Sequence, residues 1–440
     1  MLLDAAYLLA TILALPWVAW RKLSGGRPVA APGTRFTGAV AVAAKPSGSW
    51  RIWLHGVSVG EVQLLASLAA ELQRLAKAEG RLIDCVVSSS TTTGLEVAAK
   101  RFAEDHTFPC PLDFTWAVDR VLDRVRPDLL VLGELELWPT MVAHTRRRGI
   151  PIVVANARMS PRSAAGYARI RPLVRRMLGH VSLVIARSQA DADRFAALGA
   201  QDVTVTGSMK FDGVQGDRDA PEVAHLRRLA GFADDDVVFL AGSTQDPEEQ
   251  LAAEAYLAIR ARHPRLRLVI VPRHVERVAE IGRMLDELGL AWQRRSTLTE
   301  AAAEAPPQVL LVDTTGELGW WWGTAVIAFV GGSLDGKRGG QNMLEPAAYG
   351  AAVSFGPQTR NFRDEVRRLL DARAAVVVAD GAELVAFVSR CLVDPAWATE
   401  LGRRAAELVF SQRGATNATA RLILGRLPAP PGAAAGPRIG

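Results

Sequence analysis

Short apolar runs rich in β-branched residues recur along the chain, and each gives way to a stretch with helical spacing. In the first half these runs are "RIWLHGV", "LIDCVVSSS", "DLLVLGE", "IPIVVANA", "VSLVIARS" and "DVTVTGS". Between them stand segments such as "QLLASLAAELQRLAKA" and "TTGLEVAAKRFA", whose apolar residues fall three and four apart. Apolar strands that alternate with helices are the mark of parallel βαβ units. The pattern pauses at the polar, glycine-bearing "MKFDGVQGDRDAPEV" and restarts with "VVFLAGS", "LRLVIVPRH", "QVLLVDTTG", "AVIAFVGGS" and "AAVSFG". This predicts an α/β protein of two doubly wound, Rossmann-like domains, over 36–212 and 213–405, with a closing helix over 406–426. Doubly wound sheets bind ligands at the carboxyl ends of their strands, so the two domains are expected to face a central cleft.

The 440 residues are 49% hydrophobic, which suits two domains of ordinary size better than one core. The first 24 residues change the picture. "MLLDAAYLLATILALPWVAWRKLS" is nearly unbroken in apolar character as far as Trp20, about the ~20 residues a helix needs to span a bilayer. Trp17 and Trp20 sit at its end, and Arg21, Lys22 and Arg27 follow, so the rest of the chain is expected in the cytoplasm. A membrane anchor helix over 1–24 is therefore predicted. The segment 427–440, "LPAPPGAAAGPRIG", reads as a disordered tail. Net charge is +6, with Arg well in excess of Lys, which favours anionic partners. The three cysteines have no disulfide or metal spacing, and the seven histidines are dispersed with no H-x-x-x-H pair, so no metal site is expected.

Candidate chemistry falls at predicted strand ends. In "HGVSVGEV", Ser58 and Glu61 have the Ser-x-x-Glu spacing of a helix capping box. The same Glu61 could stand at the cleft as a general base, and nothing local decides between the two. "SSSTTTG", Ser88 to Gly94, either holds an anion or caps its helix. "GELELWPTM" ends an apolar strand with Glu134 and Glu136, either a solvated exit or a pair of working carboxylates. "NARMSPRSAAGYARIRPLVRRM" carries Arg158, Arg162, Arg169, Arg171, Arg175 and Arg176, a wet helix face or a surface for lipid phosphates. Lys210 in "GSMKFD" closes the first series of strands. In the second domain, "FVGGSLDGKRGGQNMLEPAAYG" runs a strand into a glycine-rich loop and a new helix near Asn342, a natural place for a phosphate. Glu345 is placed to accept from a ribose diol, and Arg273, Gly316 and Glu317 are expected to flank the same nucleotide. No G-x-G-x-x-G is present, which speaks against a dinucleotide oxidoreductase.

With "HGVSVGE", "ELELWP", "NARMSPRSAAGYA", "VTGSMKFD", "AGSTQDPEE", "VPRHVER" and "GGQNMLEPAA" in this order, the sequence resembles the 3-deoxy-D-manno-octulosonic acid (Kdo) transferases of Gram-negative bacteria. Those are inverting glycosyltransferases of the GT-B architecture. The resemblance implies transfer of Kdo from CMP-Kdo to the lipid A precursor at the cytoplasmic face of the inner membrane, with no cofactor, no metal and no nucleic-acid partner. It implies that Glu61 is the base and that Glu134 and Lys210 assist the transition state. It gives CMP binding to Pro272, Arg273, Thr315, Gly316, Glu317, Asn342, Met343, Leu344 and Glu345. Gln341 and Gln245 stand where many members have His, and Trp322 and Val326 depart from the family's Tyr and Asp. The Trp run is expected to serve as packing. Rival readings are a nucleotide-sugar epimerase or lipid A disaccharide synthase of the same fold, and a non-catalytic protein that binds lipid A or nucleotides.

Overall fold

The computed structural model of the chain describes residues 4, 5, 7, 8, 31–298 and 307–428. The chain divides into two compact units. One runs to Gly213 and resumes at Arg413; the other covers Val214–Gln412.

The first unit is built on seven strands: β1 (Trp50–His55), β2 (Ile83–Ser89), β3 (Thr107–Pro109), β4 (Leu129–Gly133), β5 (Ile152–Ala157), β6 (Leu183–Ala186) and β7 (Val203–Val205). They lie in the order β3-β2-β1-β4-β5-β6-β7, every pair parallel. Strands β1, β2, β4 and β5 are buried at every position, because helices cover both faces of the sheet. Successive side chains go to opposite faces. Ile52 and Leu54 pack with Val62, Leu65, Leu68 and Leu72 of the helix Val59–Ala78. Trp53 joins Val118, Val121 and Leu122 of the helix Thr115–Val125. Each such aliphatic side chain, once buried, contributes roughly 1.5–3 kcal/mol.

The second unit repeats the plan with β8 (Val237–Thr244), β9 (Leu266–Pro272), β10 (Trp292–Arg294), β11 (Val309–Leu311), β12 (Ile327–Val330), β13 (Ala352–Phe355) and β14 (Val376–Val377). The order is β10-β11-β9-β8-β12-β13-β14, again all parallel. Its core joins Phe239 and Ala241 of β8 to Ile327 and Phe329 of β12 and to Leu384, Phe387 and Val388 of the helix Gly381–Val393.

Three short strands, β3, β10 and β14, are additions to the eleven runs legible in the sequence. Two or three residues are too few to set up a period, and these strands form because an exposed sheet edge offers them partners. The closing helix expected over 406–426 is instead two helices, Pro395–Ser411 and Ala415–Leu424. They part at Gly414, whose φ of +102° is left-handed. The Asp212 carboxylate accepts N–H bonds from Gly414 at 2.6 Å and from Thr416 at 2.5 Å, capping the second helix and returning the chain to the first unit. There Ala420, Ile423 and Leu424 join the core built by Val59–Ala78. Asn417 bonds Glu71 of that helix.

The anchor expected over 1–24 lies outside the described residues, apart from Asp4, Ala5, Tyr7 and Leu8. Of these, Asp4 accepts the Thr115 N–H and hydroxyl, both at 2.8 Å, and the Tyr7 hydroxyl donates to Asp113 at 3.0 Å. Among the described residues no helix is long and apolar enough to cross a membrane. The tail from 429 onward also lies outside them. Asp212→Ala removes the cap on the returning helix and is expected to cost about 1–2 kcal/mol. Urea unfolding monitored in the far ultraviolet checks this.

Candidate functional site

A parallel sheet delivers every carboxyl end to one edge, and a doubly wound order leaves a crevice where the crossovers change direction. In the first unit that point lies between β1 and β4, which are neighbours in the sheet although β2 and β3 intervene in sequence. Glu61 and Glu134 follow those two strands.

Glu61 is the third residue of its helix, and the capping reading is visible in its hydrogen bonds. Ser58 is the N-cap, accepting the Glu61 N–H at 3.3 Å. The carboxylate reaches back in turn. Oε1 accepts the Ser58 hydroxyl at 2.7 Å and Oε2 the Val57 N–H at 2.9 Å, so the capping box closes one residue ahead of the N-cap. That box also aims the carboxylate at β4, for a Cβ on Gly133 would stand 3.8 Å from Glu61 Oε2. In "SSSTTTG" the capping reading is visible in the bonds. Thr91 caps its helix by accepting the Gly94 N–H at 3.1 Å. The Ser89 and Thr91 hydroxyls donate to the Val57 carbonyl at 3.0 and 2.8 Å, bracing the loop that carries Glu61.

Beyond Gly133 the chain turns sharply. Glu134 has φ +53°, left-handed and unusual for a residue with a side chain, and its N–H donates to the Ala155 carbonyl of β5 at 3.0 Å. Glu136 lies close enough to feel both other acids. Burial pushes its carboxyl above the ordinary value, and the Glu61 and Glu134 charges add to that, against the Trp138 indole N–H bond at 3.1 Å. Glu61, Glu134 and Glu136 are thus a cluster of carboxylates at the crevice. Lys210 follows β7 on the short 3₁₀ helix Met209–Phe211. His55, at the end of β1, is fully buried, with Nδ1 against the Ser88 hydroxyl at 2.9 Å, and burial lowers its pKa to about 4, so it is neutral at physiological pH.

In the second unit the change of direction lies between β8 and β12. Pro272 and Arg273 stand at the end of β9, Thr315–Glu317 after β11 and Asn342–Glu345 after β12, so all of the sequence-predicted nucleotide residues share this edge. Asn342 donates to Glu345 Oε1 at 3.0 Å, and the Trp322 indole N–H to Oε2 at 3.1 Å. Burial raises the Glu345 carboxyl, and those bonds and the Arg273 charge oppose the rise. Trp322, expected only to pack, is buried against Gly242 and also orients this acid. Glu317 is held by its own loop and by the turn after β10. Its carboxylate accepts from both Arg295 Nε (3.0 Å) and Nη2 (2.8 Å) and from the Thr314 hydroxyl (2.7 Å). Gly316, at φ +88°, has open space where a Cβ would stand, leaving its backbone accessible to a ligand.

Two features were not singled out in the sequence. Glu248 is buried and accepts four backbone N–H groups, from Gln245 (3.0 Å), Gly332 (2.6 Å), Ser333 (2.9 Å) and Leu334 (3.1 Å). The chain's own carboxylate thus fills the nest at the end of β12, and Gly340 N–H folds the glycine loop back onto the Gly332 carbonyl at 2.7 Å. The second is Asn156, at the end of β5 with φ +54°. Asn after an apolar strand was the available signal, since Asn accepts left-handed backbone more readily than most residues. Among the described residues no group of three or more His, Cys, Asp or Glu is placed to hold a metal ion.

Residues 32–213 match the family model described as 3-deoxy-D-manno-octulosonic-acid transferase (kdotransferase). The 3-deoxy-D-manno-octulosonic acid transferase of Haemophilus influenzae is 32% identical over 83% of this chain and 84% of the relative. That of Bordetella pertussis is 32% identical over 92% of this chain and 93% of its own. The chain belongs to the Kdo transferase family. The fold has wider likenesses. The UDP-GlcNAc 2-epimerase of Neisseria meningitidis, solved with UDP-GlcNAc bound, superposes with a TM-score of 0.54 at 12% identity, over 86% of this chain and 99% of that one. This likeness is one of fold, the GT-B kind of chain with two doubly wound units, and the Kdo transferase shares it with enzymes of other chemistry.

The carboxylate cluster of this Kdo transferase generates a pH signature. The folded state holds the Glu136 proton more tightly than the unfolded chain does, so this group withdraws stability as pH climbs past the ordinary value of 4.5. Below that value both states are protonated and the penalty is gone. Glu136→Gln is therefore expected to raise the melting midpoint by about 1–3 °C at pH 7 and to leave it unchanged at pH 4. Differential scanning fluorimetry across that range checks it.

Proposed function

We propose that this Kdo transferase moves Kdo from CMP-Kdo to the phosphorylated lipid A precursor, at the cytoplasmic face of the inner membrane, with Glu61 as general base and with inversion. The observation that carries the reading is Glu61 at the crevice of the first sheet, held there by Ser58 and Val57 beside two further acids. The acceptor hydroxyl oxygen bonds to the anomeric carbon as the bond from that carbon to the CMP phosphate oxygen breaks. The hydroxyl proton passes to Glu61, and CMP leaves with the electron pair on its phosphate. Attack from the face opposite the leaving group inverts the centre. Glu134 and Lys210 support the charges that develop, the acid for the sugar carbon and the amine for the departing phosphate.

The second unit takes the CMP moiety through Pro272 and Arg273, through Thr315, Gly316 and Glu317, and through Asn342, Met343, Leu344 and Glu345. Arg273 supplies charge for the phosphate, and the open backbone at Gly316 allows close approach. The acceptor belongs to the first unit. Arg162, Arg171, Arg175 and Arg176 are exposed there on two adjoining short helices with Arg169 exposed between them, and Ile170 and Leu173 are exposed among them, which suits a ligand with both phosphates and acyl chains. An anchor helix over 1–24 would keep the enzyme at the membrane that holds this acceptor. The reaction as written calls for no metal and no cofactor.

Glu61→Gln is expected to lower transfer by about 10²–10⁴-fold. CMP should still raise the variant's melting midpoint as it does for the parent, since the nucleotide residues are untouched. Near-normal transfer of radiolabelled Kdo by the variant would defeat the base assignment. Protection of the parent by UDP in place of CMP would favour the epimerase or disaccharide-synthase reading instead.

A further inference from the structure

Asn156, the next-to-last residue of β5, adopts a conformation that residues with a Cβ seldom adopt, at φ +54°, and is 2% exposed. The strand is irregular here, for its register with β6 shifts between Val154 and Ala157. If the backbone turn were all that mattered, glycine would serve at this position with less strain. The side chain is nevertheless engaged. Its Oδ1 accepts the Met209 N–H at 3.1 Å, across 53 residues of sequence, and its Nδ2 is buried without a hydrogen-bond partner.

That one bond ties together two elements of the site. On one side, Ala155, the preceding residue, lies opposite Gly133 of β4, and its carbonyl holds the N–H of Glu134. On the other, Met209 begins the 3₁₀ helix that carries Lys210. Met209 and Phe211 are 2% and 1% exposed, so Lys210 is held between two buried anchors while its own side chain stays half-buried. Met209 lies in the same core as Leu54, Val131 and Ala155, and the N–H that opens the short helix is the one Asn156 accepts.

We propose that Asn156 is a positioning residue for the transfer reaction, its side-chain amide setting the placement of Lys210 against the strand end that bears Glu134. This rests on the transition-state role proposed for Lys210. Asn156→Gly keeps the left-handed backbone and deletes the amide. It is expected to lower kcat by about 10²-fold, the effect of a displacement on the order of 1 Å at a reacting centre. KM for CMP-Kdo should stay within about two-fold, because an interaction made only in the transition state is what is lost.

Single-turnover assays with radiolabelled CMP-Kdo then compare Asn156→Gly, Lys210→Ala and the double variant. If Asn156 acts through Lys210, the double variant is no slower than Lys210→Ala, whereas a merely structural role gives losses that multiply. Asn156→Asp keeps the acceptor for the Met209 N–H and is expected to retain kcat within about ten-fold of the parent, well above the glycine variant. Multiplying losses, an unimpaired Asn156→Gly, or an Asp variant as slow as the Gly variant overturns the proposal while the role of Lys210 stands. An unimpaired Lys210→Ala removes the role of Lys210, and the proposal with it.

Discussion

Parallel strand pairing is the constraint on which the rest depends. Each strand of a parallel sheet must be followed by a crossover that carries the chain back to the starting edge, so all strands finish on the same side. Glu61 and Glu134 lie 73 positions apart in the numbering, yet each simply follows its strand, and those strands are hydrogen-bonded neighbours. The second sheet does the same for Arg273, Gly316 and Glu345. Burial of both faces makes this arrangement rigid, because a slip of register would move whole rows of Val, Ile and Leu out of their packing.

Rigid strands still leave loops to be shaped, and this protein shapes them largely with its own carboxylates. Asp212 caps the returning helix, Glu61 closes its capping box, Glu248 fills the nest after β12 and Glu317 is clasped by Arg295. A carboxylate accepts several N–H bonds at once and satisfies donors that a tight turn leaves without partners. The same holds for Glu61, whose side chain is fixed by two donors of its own turn, so that its direction is determined.

Two strained residues stand at adjoining strand ends, Glu134 at φ +53° and Asn156 at φ +54°. Local strain at the edge of a sheet persists only where surrounding bonds over-determine it. Here the Ala155 carbonyl holds one, and the bond to Met209 holds the other. The irregularity of β5 lies where the chain must serve two neighbours at once.

The sequence alone determined the fold class, the two-sheet plan, the central strands and the motif residues. All of these follow from local periodicity and from residue types placed at strand ends, which neighbours along the chain are enough to set. Motif order also carried the family, later shown by relatives that match over most of the chain. What only the tertiary structure decided was partnership. The short edge strands β3, β10 and β14 exist because a sheet lies beside them, and "SSSTTTG" braces Val57 because β2 lies beside β1. The final helix joins the first unit because Asp212, some 200 positions earlier, faces its N-terminus. Nothing in "ANARM" announces that Asn156 reaches Met209, or in "GSTQDPEE" that Glu248 reaches Gly332. Such bonds depend on distance in space, which periodicity along a chain does not encode.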